Sequence, residues 1–171
     1  TGIVAGPISY ALDGQQYVAV MAGWGGVAPL IGGDAANAPG VRNISRLLVF
    51  KLDGKAQLSA PPAQAQAAAR IPAAVDAPAE TIAKGKELYH MNCSMCHGVG
   101  VVSGGLVPDL RKSADAMRSI FDAIVLKGAL QARGMPSFAG ALTETEVAAI
   151  KTYVLSKERE DFEKSRSNAG R

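Results

Sequence analysis

The run Cys93-Ser94-Met95-Cys96-His97 constrains this chain more than any other feature of its sequence. Two cysteines separated by two residues and followed at once by a histidine form a C-x-x-C-H motif, the attachment signature of a c-type haem. The spacing lets two thiols reach the two vinyl groups on one porphyrin edge, while the next residue directs an imidazole at the iron. We therefore predict that Cys93 and Cys96 bind haem c covalently and that His97 is the proximal iron ligand.

Other interpretations of the motif fit the residue inventory less well. The chain has two Cys and two His in total, and a structural zinc site usually takes four such ligands. His97 is also adjacent to Cys96, too close for the usual second ligand pair. A thioredoxin-like dithiol stays open as an alternative, but it expects a βαβ context that the sequence does not supply.

Composition argues against several other classes of function. The formal net charge of +3 is too small to indicate nucleic acid or a membrane surface as a partner. No run of 18 apolar residues predicts a transmembrane segment, and no signal peptide is visible. Since the sequence begins at Thr1 rather than Met, we expect a processed piece or a fragment of something longer.

Residues 1–54 have the pattern of β-structure. The dipeptide Asp13-Gly14 is a strong hairpin signal between strands predicted at Ile8–Leu12 and Gln15–Ala22, and a third strand is predicted at Arg46–Leu52. The glycine-rich sequence between the second and third strands predicts loop. Three strands leave unpaired edges and little core, so we expect them to be part of a larger β-structure.

Residues 55–78 predict a linker, and residues 79–171 predict a small helical domain with a charged tail. Helices are expected at 79–92, at 114–127 with Ser113 as the cap, and after a capping box at Thr143–Glu146. The charged residues from Lys157 onwards are expected to be frayed or solvated. A covalently held porphyrin would supply apolar mass that so small a domain needs.

Five methionines compete for the second axial position. Met91 and Met95 lie beside or inside the motif and cannot reach the far face, Met117 falls on the apolar face of a predicted helix, and Met21 lies in the β segment. Met135 remains, between a glycine that permits close approach and a proline that stiffens the loop. His/Met ligation closes the iron and favours electron transfer. An open iron that binds small ligands is kept as an alternative.

Three further residues are candidates around the haem. The carbonyl of Pro108 is expected to accept a hydrogen bond from the other ring nitrogen of His97, as ligating histidines usually require. Arg111 and Arg133 flank the expected pocket, where each is either a partner of a haem propionate or a solvated surface charge.

Residues 79–157 resemble a class I cytochrome c. The resemblance rests on the C-x-x-C-H motif, Pro108, Met135 and the pair Gly85 and Tyr153. In that family the first and last helices cross where a small residue meets an aromatic one, and the resemblance implies the same crossing here.

Nearly the whole chain resembles the C-terminal part of the quinohaemoprotein alcohol dehydrogenases, which carry pyrroloquinoline quinone (PQQ) and calcium in an eight-bladed β-propeller. The resemblance rests on the β segments Gln15–Gly26 and Arg46–Leu52, the linker, and the stretch Cys96–Arg111. It implies a mainly α fold, a class I cytochrome c domain preceded by strands that complete the propeller. It also makes Trp24 and Gly25 candidates for quinone contact, unless Trp24 only packs between blades.

The resemblance implies electron transfer in a PQQ-dependent alcohol dehydrogenase, an oxidoreductase acting on CH–OH donors. Haem c would accept electrons from PQQ and pass them to an external acceptor, whether copper protein, cytochrome or quinone. The family's catalytic Asp, calcium ligands and disulfide ring have no counterpart here, so this chain alone is expected not to oxidise alcohol. Haem c is attached outside the cytoplasm, so we expect a periplasmic location. The alternative is an independent periplasmic cytochrome c whose β extension docks a partner.

Overall fold

A computed structural model describes residues 2–33, 44–59, 71–72 and 74–169 of the chain. Within these ranges, a three-stranded antiparallel sheet is followed by a mainly helical region that accounts for most of the secondary structure. The predicted fold class, mainly α with a few preceding strands, is therefore confirmed. The predicted linker at 55–78 lies partly outside the described residues.

The sheet has the order β1-β2-β3, with β1 at Ile8–Leu12, β2 at Gln15–Ala22 and β3 at Arg46–Lys51. Both central residues of the hairpin turn have positive φ, 52° at Asp13 and 75° at Gly14, as a type I′ turn requires. The hairpin prediction is therefore confirmed. The third strand ends one residue earlier than predicted, because Leu52 already belongs to the following turn.

A short helix, α1 at Ala28–Ile31, interrupts the segment that was predicted to be loop. Pro29 stands in its first turn, where its missing N–H costs nothing. That proline is fully buried, because the backbone around Gly104 packs against it. A Cβ atom added to Gly104 would lie 2.1 Å from the Pro29 carbonyl oxygen, so the sheet-bearing segment and the helical region are in direct contact. Residues 34–43 of this stretch lie outside the described residues.

Two long helices form the frame of the helical region, α2 at Ala79–Asn92 and a C-terminal helix at Glu144–Ala169. They cross at Gly85, where an added Cβ atom would lie 2.0 Å from the Ala149 carbonyl oxygen and 3.0 Å from the Cβ atom of Tyr153. This is the glycine-aromatic crossing that the cytochrome c resemblance implies. The predicted bounds of α2 are confirmed.

The prediction of one helix over 114–127 is wrong. Between α2 and the C-terminal helix, the chain forms α3 at Ser94–His97, α4 at Asp115–Ser119 and α5 at Phe121–Val125. Ile120 separates α4 from α5, because its φ of −105° and ψ of 19° are not helical. Just before the break, the Ser119 hydroxyl donates to the Ala116 carbonyl, a local bond that competes with helix continuation. Ser113 ends a 3₁₀ turn instead of capping a helix.

The tail after Lys157 is not frayed. The alternative expectation, a solvated tail, holds for its last residues, since 163–168 are exposed. The C-terminal helix, α6, runs for 26 residues to Ala169. Side-chain pairs along its surface satisfy the charges, with Lys157 bonded to Glu160 and Arg159 bonded to Glu163, each at 2.6 Å. Two more carboxylates of this stretch pair with arginines outside the helix. Its capping box is confirmed, since Thr143 and Glu146 exchange hydrogen bonds across the first turn.

The core lies between α2, α5 and α6, where Tyr89, Val101, Val147 and Ile150 are at most 1% exposed. Among the described residues, none of the helices combines the length and the apolar character that crossing a membrane would need.

Candidate haem site

The C-x-x-C-H motif begins where α2 ends and forms one tight helical turn. The backbone N–H groups of Cys96 and His97 both donate to the Cys93 carbonyl, at 3.2 and 2.9 Å. Residues three and four apart on a helix share a face. The turn therefore presents both thiols and the imidazole to the same side, as attachment to one porphyrin requires.

Gly98 lets the chain turn away directly after the imidazole. Its φ of 84° is unfavourable for other residues, and an added Cβ atom would lie 1.9 Å from the Val102 carbonyl oxygen. The buried hydroxyl of Tyr89 donates to the Gly98 carbonyl at 2.9 Å and ties this turn to α2. The position of the motif is thus set by the core of the helical region.

His97 is 8% exposed, and its Nδ1–H donates to the Pro108 carbonyl at 3.0 Å. The predicted contact between these residues is therefore present. It fixes the tautomer and leaves Nε2 with its lone pair, the form in which an imidazole binds a metal. Burial lowers the pKa of His97 below its ordinary value, against smaller opposing effects of the Pro108 hydrogen bond and Asp109, so the ring is neutral at pH 7.

The two thiols differ in their surroundings. Cys93 is half-buried, and burial, with a smaller contribution from Cys96, raises the pKa of its thiol to about 11. Cys96 is exposed. Both are free thiols in the structure, so either can form a thioether.

A cavity of about 420 Å³ opens beside the motif, with Cys93, Cys96 and His97 in its wall. Its volume is in the range of cofactor clefts, and such clefts combine an apolar lining with a few polar groups. This lining, two thiols and a neutral imidazole fit a covalently bound porphyrin. The apolar part of the wall comes from the loops and from α5 and α6, and includes Leu110, Phe121, Ile124, Val125, Leu130, Ile150 and Val154.

Two of the five methionines line this cavity, Met135 and Met117. Met135 is half-buried in a loop, where its N–H donates to the Leu130 carbonyl at 3.3 Å. The same loop is fixed further along by the bond from the Phe138 N–H to the Val125 carbonyl at 2.7 Å. Met117 is 39% exposed, so its predicted position on the apolar face of a helix does not bury it in the core.

Arg111 does not lie where either sequence interpretation puts it. It is absent from the cavity wall, and at 8% exposure it is not a solvated surface charge. Its guanidinium instead bonds to Asp109 through Nε and Nη2, at 3.0 and 2.7 Å, and to Asp161 through Nη1 at 2.9 Å. With its donors directed at carboxylates, Arg111 is a poor candidate for binding a propionate. Arg133 does line the cavity, as expected.

Sequence analysis missed two other cations in the cavity wall, Arg118 and Lys151. Arg118 bonds to Glu158 of α6 at 2.7 Å, and the ammonium of Lys151 lies 5.9 Å from the centre of the Phe121 ring. Lys151 directly follows Ile150 in the apolar stripe of α6, a position from which a basic residue can reach the same cavity. That signal was available in the sequence.

Trp24 and Gly25 are outside the cavity wall and belong to the sheet-bearing segment. The backbone of Gly2 pairs with Gly23 there, and an added Cβ atom on Gly2 would lie 2.5 Å from the Gly25 Cα atom. Trp24 is half-buried. A contact between these residues and a quinone stays a prediction.

Comparisons with known proteins point to one group. Residues 80–154 match the family described as cytochrome C oxidase, cbb3-type, subunit III. The chain is 58% identical over 163 residues to the quinohemoprotein alcohol dehydrogenase ADH IIB of Pseudomonas putida. The aligned residues make up 95% of this chain and 24% of that protein.

Two solved structures are similar over both regions of the chain. The quinohemoprotein alcohol dehydrogenase ADHIIG of Pseudomonas putida has a TM-score of 0.83 and 36% identity, covering 96% of this chain and 23% of that one. The corresponding enzyme of Comamonas testosteroni has a TM-score of 0.68 and 32% identity, covering 94% and 22%. The chain thus spans about a quarter of the length of the relatives it matches.

Proposed function

Since this chain corresponds to the C-terminal cytochrome part of the quinohaemoprotein alcohol dehydrogenases, we propose that it receives electrons from PQQ and delivers them to an external acceptor. The observation that carries the proposal is the extent of the similarity. The alignment with one relative covers 95% of this chain, and so includes the sheet as well as the cytochrome c domain. Sheet and cytochrome are thus parts of one polypeptide in that relative, which favours this role over an independent carrier with a docking extension.

Four residues would hold the haem. Cys93 and Cys96 would form the thioethers, His97 would bind the iron through Nε2, and Met135 would bind it from the loop after α5. When bound, haem c supplies a one-electron carrier whose potential is raised by His/Met ligation. The protein contributes the buried neutral imidazole, the Pro108 acceptor that orients it, and the apolar wall that limits access of water. Arg133 and Lys151 are the cations available to propionates.

The remaining assignments are part of the same proposal and rest on the resemblance to the quinohaemoprotein alcohol dehydrogenases. Residues 1–54 would be the last strands of a propeller, 55–78 the tether, and 79–171 the cytochrome. The remainder of the propeller, with PQQ and calcium, would be the partner that oxidises an alcohol. We also propose that Trp24 and Gly25 lie near the quinone and that the whole assembly is periplasmic.

The axial ligation can be tested with two matched methionine variants. In the chain matured with haem c, Met135→Ala should abolish the absorption band of a methionine-ligated ferric haem and lower the reduction potential. Met117→Ala changes the same type of residue in the same cavity wall and should leave the band in place. The reverse pattern would identify Met117 as the ligand.

A second measurement tests whether this chain carries the haem but not the site that oxidises alcohol. The purified chain should show a c-type haem spectrum and a mass increased by one haem, but no alcohol-dependent dye reduction when PQQ and Ca²⁺ are added. Alcohol turnover by this chain alone would contradict the proposal, and so would a mature chain that carries no covalent haem.

A further inference from the structure

The loop that carries the Pro108 carbonyl is held by a series of charged side chains that begins on α6. Asp109 follows Pro108 directly, and its carboxylate accepts three bonds from Arg111: from the backbone N–H at 3.1 Å, from Nε at 3.0 Å and from Nη2 at 2.7 Å. The remaining end of the guanidinium donates to Asp161 at 2.9 Å. Two side chains therefore connect the C-terminal part of α6 to the residue beside the His97 acceptor.

We propose that Asp161 and Arg111 are positioning residues that set the orientation of His97 and, through it, the reduction potential of the haem. The inference rests on the proposed role of His97 as an iron ligand. Asp161 holds the guanidinium, the guanidinium holds Asp109, and Asp109 fixes the adjoining Pro108 carbonyl. A firmly held acceptor keeps the His97 Nδ1–H bond short and the imidazole basic. A more basic ligand stabilises the ferric form and lowers the potential.

Burial makes this connection stiff. The side chains of Arg111 and Asp109 are 8% and 13% exposed, so solvent screens their attraction little. A two-pronged bond between guanidinium and carboxylate also has a fixed geometry, which an ammonium cannot reproduce. A second pair lies beside the first, since Arg118 bonds to Glu158 at 2.7 Å and its Nη2 is 3.5 Å from the Arg111 carbonyl oxygen. The Arg111–Asp161 pair joins α6 to the turn after Pro108, and the Arg118–Glu158 pair joins α6 to α4.

Asp161 is the position at which the connection can be cut with least damage, because its side chain is 40% exposed. Asp161→Asn removes the charge that holds the outer end of the guanidinium. The looser Pro108 carbonyl then accepts a weaker bond from His97, and the potential should rise. Loss of a negative charge raises the potential by itself, so the variant needs controls that separate orientation from charge.

Three variants provide that separation. Glu163→Gln removes one negative charge from the same helix, two residues further on, where the carboxylate bonds only to Arg159 among the contacts described and is 60% exposed. Arg111→Lys keeps the charge but loses the two-pronged geometry. Asp161→Glu keeps both charge and acceptor and should restore most of the wild-type behaviour.

The experiment uses the full 171-residue chain with haem attached. Potentials are measured by redox titration, and hydrogen exchange of the His97 Nδ1–H is measured by NMR in the ferrous form. Asp161→Asn and Arg111→Lys should both raise the potential and speed this exchange by about tenfold, the ratio equivalent to about 1.4 kcal/mol and to one charge-assisted hydrogen bond. Glu163→Gln should leave the exchange rate unchanged.

Several outcomes would overturn the inference. One is an equal rise in potential for Asp161→Asn and Glu163→Gln with unchanged exchange in both, because charge alone then explains the effect. Another is an Arg111→Lys protein with wild-type potential and exchange. If Arg111→Lys does not retain haem, the comparison of Asp161→Asn with Glu163→Gln decides. Failure of the proposed function looks different, since wild-type chain would then lack covalent haem or keep its spectrum after His97 replacement.

Discussion

The sheet and the helical region contain similar apolar residues but bury them to very different extents. In the helical region, Tyr89 and Ile150 are at most 1% exposed, whereas Val49 and Phe50 of β3 are 47% and 56% exposed. Neighbours in a strand point to opposite faces, so both faces of this sheet carry exposed apolar side chains. The helical region therefore has a core of its own. The sheet instead exposes apolar side chains of the kind that further β-strands would bury.

The largest expected effect comes from removing core volume on the helical side. Ile150→Ala should lower the free energy of unfolding by about 2–5 kcal/mol, because it leaves a cavity between α2 and α6. Phe50→Ala should change it by less than about 0.5 kcal/mol in this chain, because more than half of the ring is already exposed. Denaturant unfolding followed by circular dichroism at 222 nm and by haem absorption gives both values.

The same pair of substitutions sharpens the comparison when it is made in a protein that carries the rest of the proposed propeller. Phe50→Ala should then lower the free energy of unfolding by about 3–5 kcal/mol, as expected for a buried phenylalanine. If the substitution changes the free energy of unfolding as little in the longer protein as in this chain, this face of β3 is exposed there as well.

Features that depend only on a few adjacent residues could be predicted from the sequence. The positive φ angles demanded by a two-residue turn select Asp13-Gly14, and a reciprocal pair of hydrogen bonds selects Thr143 and Glu146. The haem motif belongs to the same class, since its two thiols and imidazole lie on one helical turn. Each of these arrangements is complete within five residues.

Features that depend on distant partners could not be predicted in this way. Arg111 has the composition of a surface charge, and only the fold brings it to Asp161, 50 residues later. The tail after Lys157 has the composition of a frayed end, yet Asp161 and Glu158 give it partners outside the helix. The break at Ile120 likewise interrupts a sequence whose apolar spacing is helical throughout.

A smaller effect is expected where the two regions touch. Gly104→Val would place a branched side chain against the Pro29 backbone, where even a Cβ atom would lie 2.1 Å from the carbonyl oxygen. Overpacking of this kind costs about 1–3 kcal/mol and should displace α1 while the haem spectrum stays unchanged. Hydrogen exchange at Leu30 and Gly32, whose N–H groups bond within α1, should become faster.

The matched control for this contact is Gly140→Val, because a Cβ atom there would meet nothing within 4 Å. Its exchange at Leu30 and Gly32 should equal that of the wild type. If Gly104→Val also leaves both rates unchanged, the contact between α1 and the loop after the motif contributes nothing to holding the two regions together.

The smallest expected effect concerns the start of α6 and shows how far the helical region relies on local signals. Thr143→Ala removes the hydroxyl that accepts from the Glu146 N–H at 3.3 Å and should cost about 1 kcal/mol, as loss of an N-cap usually does. Hydrogen bonds from the Thr143 backbone and hydroxyl lower the pKa of Glu146 below its ordinary value of 4.5. Ionised Glu146 therefore stabilises the folded state fully when the pH is above the pKa of the unfolded state. This stabilisation is lost as the pH falls through the lower pKa of the folded state. The stability difference between wild type and Glu146→Gln should therefore be largest at neutral pH and disappear in acid. A difference that stays constant from pH 7 to pH 3 would show that the carboxylate is not what closes the capping box.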